Sequence, residues 1–212
     1  MKFKNRDEAA LLLAEKLKEY KDGNAVVLAI PRGGVPLGYI IAKSLNLPLE
    51  IVLSKKIGHP FHKEYAIGAV TLKNRVLSNA ANDIPEDYIE SETEKIRENL
   101  RLRYQKFCGA KDELNLHGKI LLVVDDGVAT GNTMLSILEI LHEEKPKKIV
   151  VAVPVSPPDA IQNFQNSPFV DEVICLMIPH DFRAVGQFYE DFGEVDDEQV
   201  KQLLDVSNKE VS

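Results

Sequence analysis

The chain has 212 residues, of which 44% are hydrophobic and 28% charged, an ordinary composition for one globular domain with a sizeable core. Its formal net charge of −7 argues against broad binding to nucleic acids or anionic membranes, because both need a basic face. Cys108 and Cys175 are too few for a disulfide framework or a cysteine zinc site, and the charged N-terminus is unlike a signal peptide. We therefore expect a cytoplasmic protein, with no apolar run long enough to span a bilayer.

The N-terminal half alternates helical and strand patterns. Asn5 followed by Glu8 is a capping-box pattern, which predicts a helix from there to about Tyr20. Predicted strands follow at 25–30, 49–53 and 66–72, with a helix at 35–46 between the first two. Polar or glycine-containing segments follow the first two strands, at 31–34 and 54–64.

The C-terminal half continues the alternation. A charged helix is predicted at 86–107, strands at 120–124, 149–153 and 172–178, helices at 131–144 and 158–165, and an acidic helix at the C-terminus. This order predicts a single α/β domain with a mostly parallel twisted sheet flanked by helices. Ligands of such sheets bind beyond the carboxyl ends of the strands, where 31–34, 54–64 and 125–133 should meet.

The most informative segment follows the apolar strand at 120–124. Asp125 and Asp126 stand where that strand ends, and a small-residue turn then leads into a helix. A strand, a small-residue loop and a helix N-terminus form an anion site, to which Thr130 and Thr133 can add hydroxyl donors. The alternative is an acidic strand end followed by an ordinary helix cap, with Thr130 or Asn132 as the N-cap residue.

A second anion loop is predicted after the first strand. Gly33 and Gly34 would let backbone N–H groups approach a polyphosphate, and Arg32 would add a planar fork of donors. The alternative is a turn in which the glycines only relieve steric strain. The polar segment that follows the next strand contains Lys55 and Lys56, whose charges are explained equally well by a bound anion and by solvent exposure. His59 and His62 have no evident third ligand, so a metal pair there is a poor hypothesis.

The segment Val-Val-Asp-Asp-Gly-Val-Ala-Thr-Gly-Asn-Thr resembles the phosphoribosyl-pyrophosphate (PRPP) signature of the type I phosphoribosyltransferases. The resemblance implies that Asp125 and Asp126 hold the ribose 2′ and 3′ hydroxyls, with Mg²⁺ bound nearby, indirectly, through those hydroxyls or water. It implies a PRPP-binding set of Asp125, Asp126, Gly127, Val128, Ala129, Thr130, Gly131, Asn132 and Thr133. It also implies a pyrophosphate-binding set of Arg32, Gly33, Gly34, Lys55 and Lys56. The residues expected to act in catalysis are Asp125, Asp126, Arg32 and Lys56.

The resemblance extends over most of the chain and is greatest to stand-alone phosphoribosyltransferase-domain proteins. It implies one domain over 1–212, with a small hood formed by 179–212 and the N-terminal helix. Aromatic rings lie in that tail: Phe182, Phe188, Tyr189 and Phe192. They could stack on a planar base or pack as a small subdomain. The sequence leaves the oligomeric state open, with a homodimer as one alternative.

The implied activity is Mg²⁺-dependent transfer of the 5-phosphoribosyl group from PRPP to a nitrogen acceptor, with release of pyrophosphate. Family members that act on 6-oxopurines usually have an aspartate four residues after the first acidic residue, where this chain has Ala129, so its pattern is closer to adenine-type members. The alternative is a regulatory sensor that binds PRPP without turning it over. An aspartyl-phosphate phosphatase is a poorer hypothesis, because its two aspartates should be separated by one residue.

Overall fold

Five parallel strands form the main sheet of the structure, a computed structural model that describes residues 2–210. The strands are β1 (Ala25–Ala29), β2 (Leu49–Ile51), β6 (Ile120–Val124), β7 (Lys148–Val155) and β8 (Glu172–Met177). Their order across the sheet is β2-β1-β6-β7-β8, and every neighbouring pair is parallel. The predicted fold class is therefore confirmed. The ends of the predicted 1–212 and 179–212 ranges, at Met1, Val211 and Ser212, lie outside the described residues.

The helices alternate with these strands along the chain, as the sequence pattern predicts. They are α1 (Arg6–Lys16), α2 (Gly34–Leu45), α3 (Glu86–Cys108), α4 (Asn132–His142), α5 (Pro158–Gln165) and α6 (Asp197–Glu210). The N-cap of α1 is Asn5, whose Oδ1 accepts a hydrogen bond from Glu8 N at 3.1 Å. This helix ends at Lys16 and is followed by a short 3₁₀ turn at Lys18–Tyr20, which the sequence pattern joined to it. Among the described residues, no helix combines the length and apolarity that a membrane span requires.

Strand β6 lies at the centre of the sheet and positions the segment that follows it. Its residues pair with β1 on one side and β7 on the other, and Leu121 to Val124 are fully buried. Because Ala29 is opposite both Val124 and Ile51, the chain leaves β1, β2 and β6 at the same edge of the sheet. The segments that follow these three strands therefore begin at the edge where the sequence predicts a ligand site.

A second, smaller sheet differs from the sequence prediction. Strands β3 (Lys55–Gly58), β4 (Ala66–Val70) and β5 (Arg75–Leu77) form an antiparallel sheet of their own. The prediction treated 54–64 as a polar segment without a strand, and it missed β5. Only Ile57 of β3 is buried, so local hydrophobicity is weak there and the strand exists because it pairs with Ala69 and Val70.

The N-terminal segment and the tail pack together next to the main sheet. Phe3 N donates to Phe188 O at 2.8 Å, and Glu190 N donates to Phe3 O at 2.8 Å. A small hydrophobic cluster, separate from the two that fill the faces of the main sheet, consists of Phe3, Ala9, Val155, Phe188 and Tyr189. The tail is therefore attached both to the N-terminus and to the carboxyl end of β7.

Candidate active site at the carboxyl edge of the sheet

Asp125 and Asp126 leave β6 at the centre of this edge. Asp126 N donates to Asp125 Oδ1 at 2.8 Å, so the first carboxylate is held by the backbone of the second residue. Burial and the neighbouring Asp126 charge raise the pKa of Asp125 well above its ordinary value. Burial also raises the pKa of Asp126, although Arg6 opposes that shift. Keeping two acidic groups away from water lowers the stability of the folded protein, and such pairs are typical of functional sites.

The loop after β1 lies against the aspartate pair. The Pro31–Arg32 peptide bond is cis, and Gly34 N donates to Ile30 O at 3.0 Å. A β-carbon on Gly33 would lie 2.1 Å from Asp126 Oδ2, and one on Gly34 would lie 2.8 Å from Val124 O. Only glycine fits at these two positions. A side chain at position 33 would collide with the Asp126 carboxylate, and one at position 34 would collide with the backbone of β6. The structure thus brings the predicted anion loop and the predicted carboxylate pair into contact.

The turn after the aspartates forms an open concave surface. A cavity of about 200 Å³ is lined by Ile30, Asp125, Gly127, Val128, Ala129, Thr130, Gly131, Thr133 and Met134. The N-cap of α4 is Gly131, with a left-handed φ of 78°, so the alternative in which Thr130 or Asn132 caps the helix is wrong. Ala129, Thr130, Asn132 and Thr133 are exposed. The first N–H groups of α4 therefore point to an accessible cavity of a size that suits a phosphate group.

Arg6 is a site residue that the sequence analysis missed. Its Nε and Nη2 contact Asp126 Oδ2 at 2.9 and 2.8 Å, and its Nη1 donates to Gly193 O at 2.7 Å. A signal for it exists in the sequence, since Arg6 follows the predicted N-cap Asn5. A cation in the first turn of a helix opposes the helix dipole and needs another partner.

Arg32 points toward the C-terminal segment. Its side chain is 42% exposed, with Nη2 3.2 Å from Glu194 Oε1 and Nη1 3.9 Å from Asp197 Oδ1. Asp197 is in turn 2.6 Å from Lys106 Nζ on α3. No sequence pattern connects Glu194 with Arg32, because the two lie on separate elements at opposite ends of the chain.

The remaining predicted site residues belong to the small antiparallel sheet. Lys55 and Lys56 lie on β3, both exposed, opposite Val70 and Ala69 of the small sheet. Within residues 2–210, neither lysine forms an ion pair with Asp125 or Asp126. Their predicted role at pyrophosphate stays a prediction.

The tail rings pack mainly on one another. Phe182 stacks on Phe188 at a centroid distance of 5.3 Å, and Tyr189 stacks on Phe192 at 4.8 Å. The Tyr189 hydroxyl donates to the main-chain oxygen of Asp126 at 2.6 Å. Burial and the neighbouring Asp126 charge raise the pKa of Tyr189, so it is a neutral donor. This subdomain packing therefore also fixes the backbone of the second aspartate.

The residues present can contribute to a Mg²⁺ site but do not complete one. Carboxylate oxygens are suitable ligands for this ion, and Asp125 is not ion-paired within residues 2–210. The same described region contains no group of three or more His, Cys, Asp or Glu side chains that could hold a metal. Mg²⁺ at this edge would therefore need oxygen ligands from a bound substrate or water.

The described geometry agrees with comparisons to known proteins. Residues 4–183 match the family model described as a phosphoribosyl transferase domain. Two curated relatives from two strains of Mycobacterium tuberculosis carry a provisional phosphoribosyl transferase name. They are 34% identical over 212 residues, which is 98% of this chain and 47% of each relative. The chain thus spans about half the length of the curated relatives it matches.

A solved structure with closely similar architecture supports the fold. The crystal structure of TT1426 from Thermus thermophilus is 39% identical in sequence and superposes with a TM-score of 0.85. The match covers 96% of this chain and 98% of that chain. The similarity therefore includes the small antiparallel sheet and the tail as well as the central strands.

Proposed function

The chain belongs to the phosphoribosyl transferase domain family, and from this premise we propose a Mg²⁺-dependent reaction at the edge of the sheet. In it, the 5-phosphoribosyl group of PRPP is transferred to a nitrogenous base or another nitrogen acceptor, and pyrophosphate is released. The observation that carries the proposal is the contact of Gly33 and Gly34 with the aspartate pair. This contact holds the glycine loop against the two carboxylates, and Asp125 also lines the cavity at the start of α4.

The three parts match the three parts of PRPP. In this proposal the cavity formed by the turn up to Thr133 takes the 5′-phosphate, since helix N–H groups and threonine hydroxyls suit an anion. Asp125 and Asp126 take the ribose hydroxyls. Arg32 and the glycine N–H groups take the pyrophosphate, and Lys55 and Lys56 approach it from the small sheet.

Cleavage of the bond between ribose C1 and the pyrophosphate oxygen gives the sugar oxocarbenium character, as in glycoside chemistry. The protein then needs no nucleophile, because its work is to position the reactants and to stabilise charge. Negative charge develops on the departing pyrophosphate, where Arg32 and Lys56 would compensate it. Mg²⁺, held through Asp125 and Asp126 together with ligand or water oxygens, would supply further positive charge.

The hood in this proposal consists of the tail from residue 179 and the N-terminal helix. Its support is the backbone pairing of Phe3 with Phe188 and Glu190, which joins the two ends of the chain over the carboxyl end of β7. The acceptor would bind between this hood and the ribose. Ala129 provides no carboxylate there, so adenine-type bases come before 6-oxopurines in the acceptors to be tested.

Calorimetric titration with PRPP and Mg²⁺ tests the donor site. The double variant Asp125→Asn, Asp126→Asn keeps the size of both side chains but removes their charge, so we expect it to lose PRPP binding while remaining folded. Unchanged affinity in the folded double variant would contradict the assignment.

Pyrophosphate release with a panel of nitrogenous bases separates the enzyme from the PRPP sensor. We expect release in the presence of PRPP, Mg²⁺ and one base, and none with the double variant. Binding of PRPP without release on any acceptor would instead favour the sensor.

A further inference from the structure

Arg6 holds one carboxylate of the aspartate pair, although 120 positions separate it from Asp126 in the chain. Its Nε and Nη2 both reach the same oxygen, Asp126 Oδ2, at 2.9 and 2.8 Å. The two side chains are only 13% and 14% exposed. A pair so far out of water is costly to break, since either charge would be left without a partner.

The guanidinium group is also fixed from its other side. Arg6 Nη1 donates to Gly193 O at 2.7 Å, and Arg6 Cζ lies 3.9 Å from the centroid of the Phe192 ring. Phe192 stacks on Tyr189, whose hydroxyl donates to the main-chain oxygen of Asp126. The side chain and the backbone of Asp126 are therefore held by the same small group of hood residues.

The two oxygens of the Asp126 carboxylate consequently have different surroundings. Oδ2 accepts from Arg6, and a β-carbon on Gly33 would lie 2.1 Å from Oδ2 and 3.0 Å from Oδ1. Within residues 2–210, Arg6 is the one cation that pairs with this carboxylate, and the backbone N–H group of Asp126 itself also interacts with it. Asp125 differs again, because its oxygen accepts from the Asp126 N–H group and no cation pairs with it in the same range.

We propose that Arg6 is a positioning residue of the PRPP site, which holds the Asp126 carboxylate through Oδ2 in the orientation that meets a ribose hydroxyl. This inference rests on the proposed function, because it assigns a role in binding the ribose of PRPP. Functional groups must be held in place by neighbouring side chains to bind with the right geometry. Here the neighbour comes from α1, so the N-terminal helix contributes directly to the arrangement of the ribose site.

The competing explanation is that Arg6 only anchors α1 to the sheet. An anchor affects all ligands of the site alike, through the stability of the protein. A positioning residue affects only ligands that carry the ribose. Ribose 5-phosphate and inorganic pyrophosphate represent the two halves of PRPP, so their separate affinities distinguish these explanations.

Calorimetric titration of Arg6→Gln and Arg6→Lys with PRPP, ribose 5-phosphate and pyrophosphate, each with Mg²⁺, tests the proposal. For Arg6→Gln we expect PRPP and ribose 5-phosphate to bind on the order of tenfold more weakly, while pyrophosphate affinity changes by less than about twofold. For Arg6→Lys, one donor to Oδ2 remains, so we expect partial recovery, to a deficit of about threefold. Thermal unfolding of each variant shows whether it is folded at the titration temperature.

Arg75→Gln is a matched control. Arg75 pairs with Glu86 at 2.6 Å and joins β5 to α3, so this variant also breaks an ion pair between two elements. We expect it to leave all three affinities unchanged. Should Arg6→Gln fail to fold, Arg6→Lys decides, since the proposal requires its deficit to be confined to the two ribose ligands.

The outcomes separate the two hypotheses. If the wild-type protein fails to bind PRPP, the proposed function is wrong and the role of Arg6 falls with it. If the wild type binds PRPP but the Arg6 variants match it, only the positioning role is overturned. An equal loss for ribose 5-phosphate and pyrophosphate also overturns it and identifies Arg6 as an anchor.

Discussion

The α-carbon of Gly33 lies against the carboxylate of Asp126, so closely that a β-carbon at position 33 would be 2.1 Å from Asp126 Oδ2. The same oxygen accepts both hydrogen bonds from Arg6. One carboxylate oxygen therefore joins the loop after β1, the end of β6 and the first turn of α1. Substitution of the residues in this contact should therefore have measurable effects on stability and on PRPP affinity.

Gly33→Ala should displace the Asp126 carboxylate, because the added methyl group has no room. We expect a stability loss of about 1–3 kcal/mol from overpacking and a loss of PRPP affinity of at least about tenfold. Urea unfolding and calorimetry measure the two effects.

Gly109→Ala provides the control for that loss of stability. Gly109 has a φ of 65° at the end of α3, and a β-carbon there would meet nothing within 4 Å. Its backbone conformation alone should cost about 1–3 kcal/mol, while PRPP affinity stays unchanged. Equal affinity losses in both variants would mean that Gly33 acts only through stability.

Asp125→Asn and Asp126→Asn should have opposite effects on stability. Asp125 is buried beside a like charge, so its replacement should raise the free energy of unfolding by about 1 kcal/mol at pH 7. Asp126→Asn leaves the Arg6 charge unpaired and should lower the free energy of unfolding by about 2 kcal/mol. Urea unfolding of the two single variants gives these values.

The pH dependence of stability follows from the raised pKa of Asp125. The unfolded chain loses this proton near pH 4, before the folded protein does, so the folded state holds more protons above that pH. The free energy of unfolding should therefore fall as the pH rises from about 4 to the raised pKa. In Asp125→Asn, the contribution of this group to the decrease in the free energy of unfolding should be absent. A dependence of that free energy on pH parallel to that of the wild type would contradict the prediction.

Glu194→Gln should strengthen pyrophosphate binding, since it frees Arg32 from a carboxylate that competes with the ligand. The pair is exposed and contributes at most about 1 kcal/mol, so we expect a gain of no more than about fivefold in affinity. Glu198→Gln changes the net charge equally on an exposed position of α6 and serves as the control. A gain of the same size in both variants would indicate a general charge effect.

Both thiols should be unreactive in the folded protein. Burial raises the pKa of Cys108 to about 12 and that of Cys175 to about 11, so well under 1% of either is thiolate at pH 8. Iodoacetamide labelling followed by mass spectrometry should be slow in buffer and fast in denaturant. Rapid labelling of either cysteine in buffer would show that its thiol is accessible and would contradict the prediction.

The sequence predicted correctly those features of the structure that are determined within a single helix or strand. The apolar run of β6 has one stable location, the centre of a parallel sheet, and the two aspartates must then lie at its carboxyl edge. The N-cap at Asn5 is similarly local. The family signature added the expected role of each loop residue.

Strand β3 was not predictable in this way. Lys55 and Lys56 carry no strand signal, and their conformation is set by pairing with β4. The 3₁₀ turn after α1 was joined to that helix, and α4 was expected to reach residue 144 but ends at His142, because the exact ends of helices depend on their surroundings.

The sequence by itself thus determined the α/β architecture, the strands of the main sheet and the positions of the loops after β1 and β6, because these depend on periodicity and on neighbouring residues. Only the tertiary structure decided which charges meet. Arg6 pairs with Asp126 and Arg32 with Glu194 because the ends of the chain pack over one sheet edge. Contacts between residues so distant in the chain depend on how whole elements pack, and no local pattern specifies them.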